Sequence, residues 1–373
     1  LLIDEYDNFA NELLMGKDGV GDHRYQALRT GEAVLKTVFN AVKSASSGRG
    51  LDRVFITGVS PVVLSDLTSG YNVAENIYLQ APFNDLCGFR AEELATVVTQ
   101  VVKDCQLPPD QVTAVLTTMR TFYNGYSFCY AGQPLVYNPT LALYFLKHFQ
   151  SECRPPREML DDNLAMDRGK LAYISQLPKG DSVLLTALSA SLSVPRLANR
   201  FGVEDVLKAS KDHSFMASLL YYFGVLTLAG ENPLGELQLQ IPNLVVRKLY
   251  VEQLLERFLP EASLRDEGRD RARQFYQTGE LQALCEFIEQ RYLPVFDNRD
   301  YGTANELTIK TAFLTLLFED VFYIMDSELP LRRGYADLTM IVRPERRGSP
   351  LLDFLLEFKY LSLGDVNRKG SKV

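Results

Sequence analysis

Apolar residues recur at three- and four-residue intervals in 31–42, 90–103, 108–120, 140–149, 214–222 and 281–292, a period that predicts amphipathic helices. Residues 306–325 are apolar on most sides and read as a buried helix, whereas 262–273 is heavily charged and reads as a surface helix or linker. Short apolar runs predict strands at Leu1-Leu2-Ile3, Val54-Phe55-Ile56, Val225-Leu226-Thr227-Leu228, Glu236–Ile241, 336–342 and 355–360. A Gly/Asn/Pro turn separates the strands near 228 and 236, and Pro242-Asn243 opens a helix through Phe258. The stretch Arg343-Pro344-Glu345-Arg346-Arg347-Gly348-Ser349-Pro350 joins the last two runs and predicts an antiparallel hairpin. Residues 184–208 alternate short apolar runs with polar breaks and give no clear assignment.

This order predicts an α/β multidomain protein. Polar, proline-containing Ser151–Pro156 suggests one boundary, giving domains over 1–150, 151–260 and 261–373. The helix, hairpin and helix of 214–258 suggest a winged-helix-like unit. It could touch DNA through Arg247 and Lys248, but a packing spacer is favoured because fold alone does not set function.

Composition narrows the classes. The hydrophobic share of 46% supports ordinary cores, and no apolar run is long enough to span a bilayer, so no membrane partner is expected. The five cysteines, Cys87, Cys105, Cys129, Cys153 and Cys285, are odd in number and not at metal-ligand spacing, which suggests a reduced, cytoplasmic setting. His23, His148 and His213 are scattered, so a histidine metal cluster has little support. The net charge of −8 argues against a globally basic nucleic-acid coat, yet 331–373 carries nine Lys/Arg against five Asp/Glu. Arg333, Arg346 and Arg347 are the candidate phosphate contacts beside the hairpin.

The chemistry concentrates on that hairpin. Alternation along a strand puts Glu357 and Lys359 on one face and Leu356, Phe358 and Tyr360 on the other. Asp337 on the preceding strand can come alongside. Two carboxylates and a lysine can hold a hard divalent cation and offset charge developing on a phosphate, although Glu-x-Lys on a strand is commonly only a solvated pair. Glu306, in the first turn of the buried helix, also suits the helix dipole by itself. Together, the acid on a helix, Gly334-Tyr335-Ala336-Asp337 and Glu357-Phe358-Lys359 resemble the PD-(D/E)XK nuclease superfamily, with Ala336 in place of the proline. The resemblance implies a restriction-endonuclease-like domain in which Asp337, Glu357 and the Phe358 carbonyl hold Mg²⁺ or Mn²⁺. It further implies that Lys359 acts on the water or the phosphate and that Glu306 assists from the helix side.

At the other end, Leu1-Leu2-Ile3-Asp4-Glu5 has the form of a Walker B strand, whose Asp holds Mg²⁺ and whose Glu orients water. The alternative is a core strand running into an acidic loop. Thr57 and Ser60, after the next strand, are candidates for the polar sensor; capping of the following loop would equally explain them. No Gly-x-x-x-x-Gly-Lys-Ser/Thr loop occurs in the chain, so ATP enters as a cofactor only if an N-terminal Walker A segment is missing, and the chain as it stands should bind ATP weakly without turning it over. Leu1–Asp7, Phe55–Pro61, Cys87–Glu93, Tyr123-Asn124-Gly125-Tyr126-Ser127-Phe128 and Tyr137-Asn138-Pro139 occur in an order that resembles the AAA-ATPase-like family commonly fused to a PD-(D/E)XK nuclease. That resemblance covers nearly the whole chain and implies a partial AAA-like P-loop domain, a helical or winged-helix-like middle and the nuclease-like domain. It also implies further segments at both ends. The aromatic motifs themselves read as structural, an Asn-Gly turn and a Pro-led helix start.

The expected function is metal-dependent cleavage of DNA phosphodiester bonds, coupled to an AAA-like domain, with ATPase activity left open. RNA stands as the alternative polyanion, and a homo-oligomer is compatible with the sequence. The competing expectation is a nucleotide-sensing or nucleic-acid-binding interaction protein whose nuclease fold is inactive.

Overall fold

Two parallel two-residue strands begin the architecture. The computed structural model describes residues 1–8, 22–48, 50–59, 75–130, 132–160, 167–198, 201, 212–297, 306–331 and 334–359. The chain packs as two units, the first comprising Leu1–Pro156, Leu160–Ala187 and Ser191–Leu249, the second Arg157–Met159, Leu188–Ala190 and Tyr250–Val373. The middle region expected over 151–260 thus belongs mostly to the first unit. The mixed helices and small sheets agree with an α/β protein.

In the first unit, β1 (Leu2–Ile3) pairs in parallel with β2 (Phe55–Ile56), in the register Leu2↔Phe55 and Ile3↔Ile56. Between them runs α1 (Asp22–Ser46), longer than its periodic core suggested. A helical group follows: α2 (Ala91–Asp104), α3 (Gln111–Tyr123) and α4 (Pro139–Glu152). Their buried faces carry Leu94, Val98, Met119, Phe122, Phe145 and Phe149, at the spacings expected of amphipathic helices. Asn138 caps α4, its side chain accepting from the Leu141 N–H at 3.1 Å, and Pro139 takes the first helical position. One expectation is corrected. Cys105 and Cys153, at the ends of α2 and α4, form a disulfide with Cα atoms 5.5 Å apart, whereas Cys87, Cys129 and Cys285 are not disulfide-bonded. The packing of α2 against α4 brings the two thiols together, which spacing along the chain could not reveal.

Helices α5 (Asp167–Gln176) and α6 (Gly180–Ser189) lead to β3 (Leu192–Val194), then α7 (His213–Tyr222), β4 (Thr227–Glu231), β5 (Leu237–Gln240) and α8 (Leu244–Phe258). The anticipated hairpin is present and gains a third strand, in the order β3-β5-β4. Asn243 fixes the entry to α8. Its side chain accepts from the Val246 N–H and donates to the Asn124 carbonyl at 2.9 Å.

The second unit contains α9 (Ala262–Thr278), α10 (Gln282–Phe287), a π-helical turn at Ile288–Tyr292, α11 (Leu293–Asp297) and α12 (Glu306–Leu317). Its sheet is antiparallel, in the order β6 (Tyr323–Leu331), β7 (Gly334–Val342) and β8 (Phe354–Leu356). The helix expected to continue to residue 325 stops at Leu317. Glu319 and Asp320 interrupt the apolar run, and Tyr323 and Met325, buried two apart, point inward from a strand. The core joins α9 to this sheet. Phe275 stacks on Phe354 with ring centroids 4.1 Å apart, Tyr276 lies 5.1 Å from Tyr323, and the Tyr276 hydroxyl donates to the Leu317 carbonyl. Among the described residues, no helix is long and apolar enough to cross a membrane.

Candidate functional sites

The hairpin site is built around Asp337. β7 and β8 pair with Leu338↔Leu356 as their last rung, and Asp337 and Glu357 are the next residues beyond it on either side. Exposure alternates along 354–359, with Leu355, Glu357 and Lys359 outward, as the strand period requires. The regular ladder nevertheless ends at Leu356, because the Asp337 carboxylate takes over: its Oδ2 accepts from the Phe358 N–H at 2.7 Å. The Phe358 ring meanwhile packs 5.0 Å from Phe313 on α12.

A lysine not anticipated from the sequence completes the arrangement. Lys310 on α12 places Nζ 3.8 Å from Asp337 Oδ1, with only 8% of its side chain exposed. It lies one helical turn after Glu306, and a lysine four residues past an acid in an apolar helix was the available signal. Glu306 opens α12 as expected; its side chain lies outside the described residues. Glu357 and Lys359 form an exposed pair at 3.8 Å. Asp337 is therefore largely enclosed, and Glu357 and Lys359 are open.

The Asp337 carboxylate fits a divalent cation in part. Each Asp337 oxygen has one hydrogen-bonding or ionic partner and keeps acceptor capacity, and Mg²⁺ completes its shell with waters. Among the described residues, no group of three or more His, Cys, Asp or Glu side chains is placed to hold a metal ion. The candidate phosphate contacts are partly engaged within the chain. Arg347 Nη1 lies 2.6 Å from Asp353 Oδ2, and the Arg346 guanidinium lies 6.0 Å from the Phe322 ring centroid. Asp353 also accepts from the Val342 N–H at 2.7 Å. That backbone bond, reinforced by Arg347, holds the Asp353 carboxyl below its ordinary range. Arg333 lies outside the described residues.

In the first unit, the parallel pairing of β1 and β2 brings Asp4 to Thr57, whose hydroxyl donates to Asp4 Oδ1. The backbone locks this register: Thr57 N–H donates to Ile3 O at 2.8 Å and Tyr6 N–H to Thr57 O at 3.2 Å. Asp7 is fully buried and accepts from the Val59 N–H at 3.0 Å. Burial, and then the Asp7 charge, push the neighbouring Tyr6 phenol well above its ordinary range. Glu5 has φ 48°, in the left-handed region, while Asp4 Oδ1 accepts the Glu5 N–H. Asp4, Glu5 and Thr57 are thus gathered at the ends of adjacent strands; Ser60 lies outside the described residues.

Residues 1–68, which carry Asp4, Glu5 and Thr57, match the family model described as predicted AAA-ATPase, AAA-ATPase-like. The matched stretch includes none of the hairpin residues. The chain is also similar to the uncharacterized protein in the vnfD 5′ region of Azotobacter chroococcum mcd 1, at 25% identity over 265 residues. That alignment covers 70% of this chain and 43% of the relative, so the chain spans less than half the relative's length. No solved structure gives a significant match. The supported likeness is therefore to the predicted AAA-ATPase-like family, over the segment that brings Asp4 to Thr57.

Proposed function

We propose that the second unit is a metal-dependent nuclease that cleaves DNA phosphodiester bonds, coupled to an AAA-like, nucleotide-responsive first unit. The observation that carries this reading is the position of Asp337, just past the β7–β8 ladder, where it accepts from the Phe358 N–H between Glu357 and Lys359 and lies 3.8 Å from Lys310 of α12. Asp337 and Glu357 would hold Mg²⁺ or Mn²⁺, with the Phe358 carbonyl as a further oxygen donor. The cation would supply Lewis acidity and a water of lowered pKa. Lys359, exposed beside Glu357, is free to swing towards a phosphate and neutralise charge there. Lys310 keeps the Asp337 side chain against the helix and fixes its orientation.

The test is cleavage of plasmid and linear DNA by the full-length protein in Mg²⁺, Mn²⁺ or EDTA, with Lys359→Ala alongside. Metal-dependent cutting, lost in Lys359→Ala, is the expected result. Intact DNA under every metal, or equal cutting by the variant, overturns it. A second reading, a nucleotide-sensing protein with an inactive nuclease fold, is favoured by two observations. A lysine already neutralises Asp337, and Thr57 engages Asp4 on the adjacent strand.

A further inference from the structure

The Cys105–Cys153 disulfide joins the C-terminal ends of two helices in the first unit. The Cys105 N–H donates to the Val101 carbonyl of α2 at 2.9 Å, and the Cys153 N–H donates to the Phe149 carbonyl of α4 at 2.9 Å. Both backbones are thus set by their own helices, whether or not the sulfurs are bonded. α2 and α4 also pack on each other, and their buried faces carry Leu94, Val98, Phe145 and Phe149. Apolar burial therefore holds the pair of helices together with the disulfide closed or open. Cys153 stands at φ 53°, in the left-handed region where a helix end favours glycine. Backbone fit does not explain a cysteine there, whereas a sulfur within reach of Cys105 does.

The two sulfurs differ in access: Cys153 is exposed and Cys105 is half-buried. Cys105 Sγ lies 3.8 Å from the Phe149 carbonyl oxygen, an acceptor ready for its thiol when the bond is open. The bond closes a loop with a sequence separation of 48, which contains α3 and both aromatic motifs. Those motifs dock the loop on the rest of the unit. The Ser127 N–H donates to Thr227 Oγ1 of β4 at 2.8 Å, and the Asn124 carbonyl accepts from Asn243 at the start of α8 at 2.9 Å. A cross-link of this kind acts mainly by restricting the unfolded chain. Opening it leaves the folded contacts in place and lowers the free energy needed to release the loop.

We propose that Cys105–Cys153 is a reversible redox lock on residues 106–152, opened by dithiol reductants and closed by their disulfides. In opening, one thiolate of the reductant bonds to the exposed Cys153 sulfur, the Cys105–Cys153 bond breaks, and Cys105 leaves as a thiolate that takes up a proton. The second thiolate of the reductant then attacks the reductant sulfur of the mixed disulfide, and Cys153 leaves and takes up a proton in turn. The chain gains two electrons and two protons, and the dithiol becomes a disulfide. Closing is the reverse. Exposure of one sulfur places this bond among those that exchange readily.

The experiment equilibrates the folded full chain with reduced and oxidised dithiothreitol in varied ratio, quenches with N-ethylmaleimide and reads the state of Cys105 and Cys153 by peptide mass. Circular dichroism, urea denaturation and limited proteolysis follow in each state. The pair should titrate reversibly with its helical signal retained. Reduction should lower the urea midpoint of the first unit by about 1 M and speed cleavage within 106–152 by about tenfold or more. Cys153→Gly, which suits the left-handed backbone, should make midpoint and cleavage indifferent to the redox ratio, and Cys105→Ser replaces it if that variant does not fold. Thiols that stay unpaired under oxidising ratios overturn the proposal, as do equal midpoint and cleavage in the two states. A bond that opens only with loss of the helical signal is a structural staple, and that result overturns the proposal as well.

Discussion

The Lys310 ammonium stands 3.8 Å from the Asp337 carboxylate, and the two side chains are only 8% and 20% exposed. Removing one partner of such a pair leaves the other charge poorly solvated. Lys310→Met should therefore lower the stability of the second unit by about 3 kcal/mol, measured by urea denaturation. Adding Asp337→Asn to that variant should recover part of the loss. Strictly additive losses would show that the two groups do not interact energetically.

Glu357 and Lys359 should behave differently, since their side chains are 51% and 76% exposed. Glu357→Gln and Lys359→Ala should each change stability by less than about 0.5 kcal/mol while abolishing cleavage. Because Asp337 and Glu357 would serve one metal site, Asp337→Asn and Glu357→Gln should be non-additive in activity. Thermal melts beside the DNA assay separate the two effects, and a melt that collapses with Glu357→Gln would contradict the exposure argument.

Gly125 occupies the turn of the first aromatic motif at φ 110°, and an added Cβ would run into the Pro242 carbonyl oxygen. Both the backbone conformation and the contact oppose any side chain. Gly125→Ala should destabilise the first unit by about 3 kcal/mol or more, read as a lowered denaturation midpoint. An unchanged midpoint would mean that the turn and Pro242 separate at little cost.

DNA binding should weaken steeply with salt if the basic residues by the hairpin touch phosphates. Arg346→Ala should flatten the log–log salt slope by about 1, the loss of one phosphate contact. Arg347 already pairs with Asp353, so Arg347→Ala should change the slope less. Fluorescence anisotropy from low to moderate salt measures both, and binding indifferent to salt would remove these arginines from the interface.

The Asp353 carboxyl lies below its ordinary range because it accepts from the Val342 N–H and is assisted by Arg347. Its folded pKa is thus lower than its unfolded one. The stabilisation is fully present above the unfolded value, about 3.9, and fades as pH falls through the folded value. Asp353→Asn should flatten the acid limb of the stability profile below about pH 4. A limb of unchanged steepness would assign the acid sensitivity to other carboxylates.

Much of the fold was legible in the sequence because it rests on local periodicity. The helices around 91–104 and 139–152, the hairpin of 227–240 and the first strand of the final hairpin follow from 3.6- and 2-residue patterns near their observed bounds, whereas the last strand, expected over 355–360, is Phe354–Leu356. The outward face of Glu357 and Lys359 follows from the same alternation. Apolar runs alone could not locate the switch from α12 to β6, since a buried helix and a buried strand are equally apolar. Nor could they assign the third strand beside the middle hairpin. Contacts distant in sequence were decided only by the tertiary structure. Cys105 meets Cys153 because two helices pack, Asp4 meets Thr57 because two strands align in parallel, and Tyr126 meets Val136 because the chain doubles back. Lys310 meets Asp337 for the same reason: the sequence determines which groups are charged, but only the packing of α12 against β7 brings these two together.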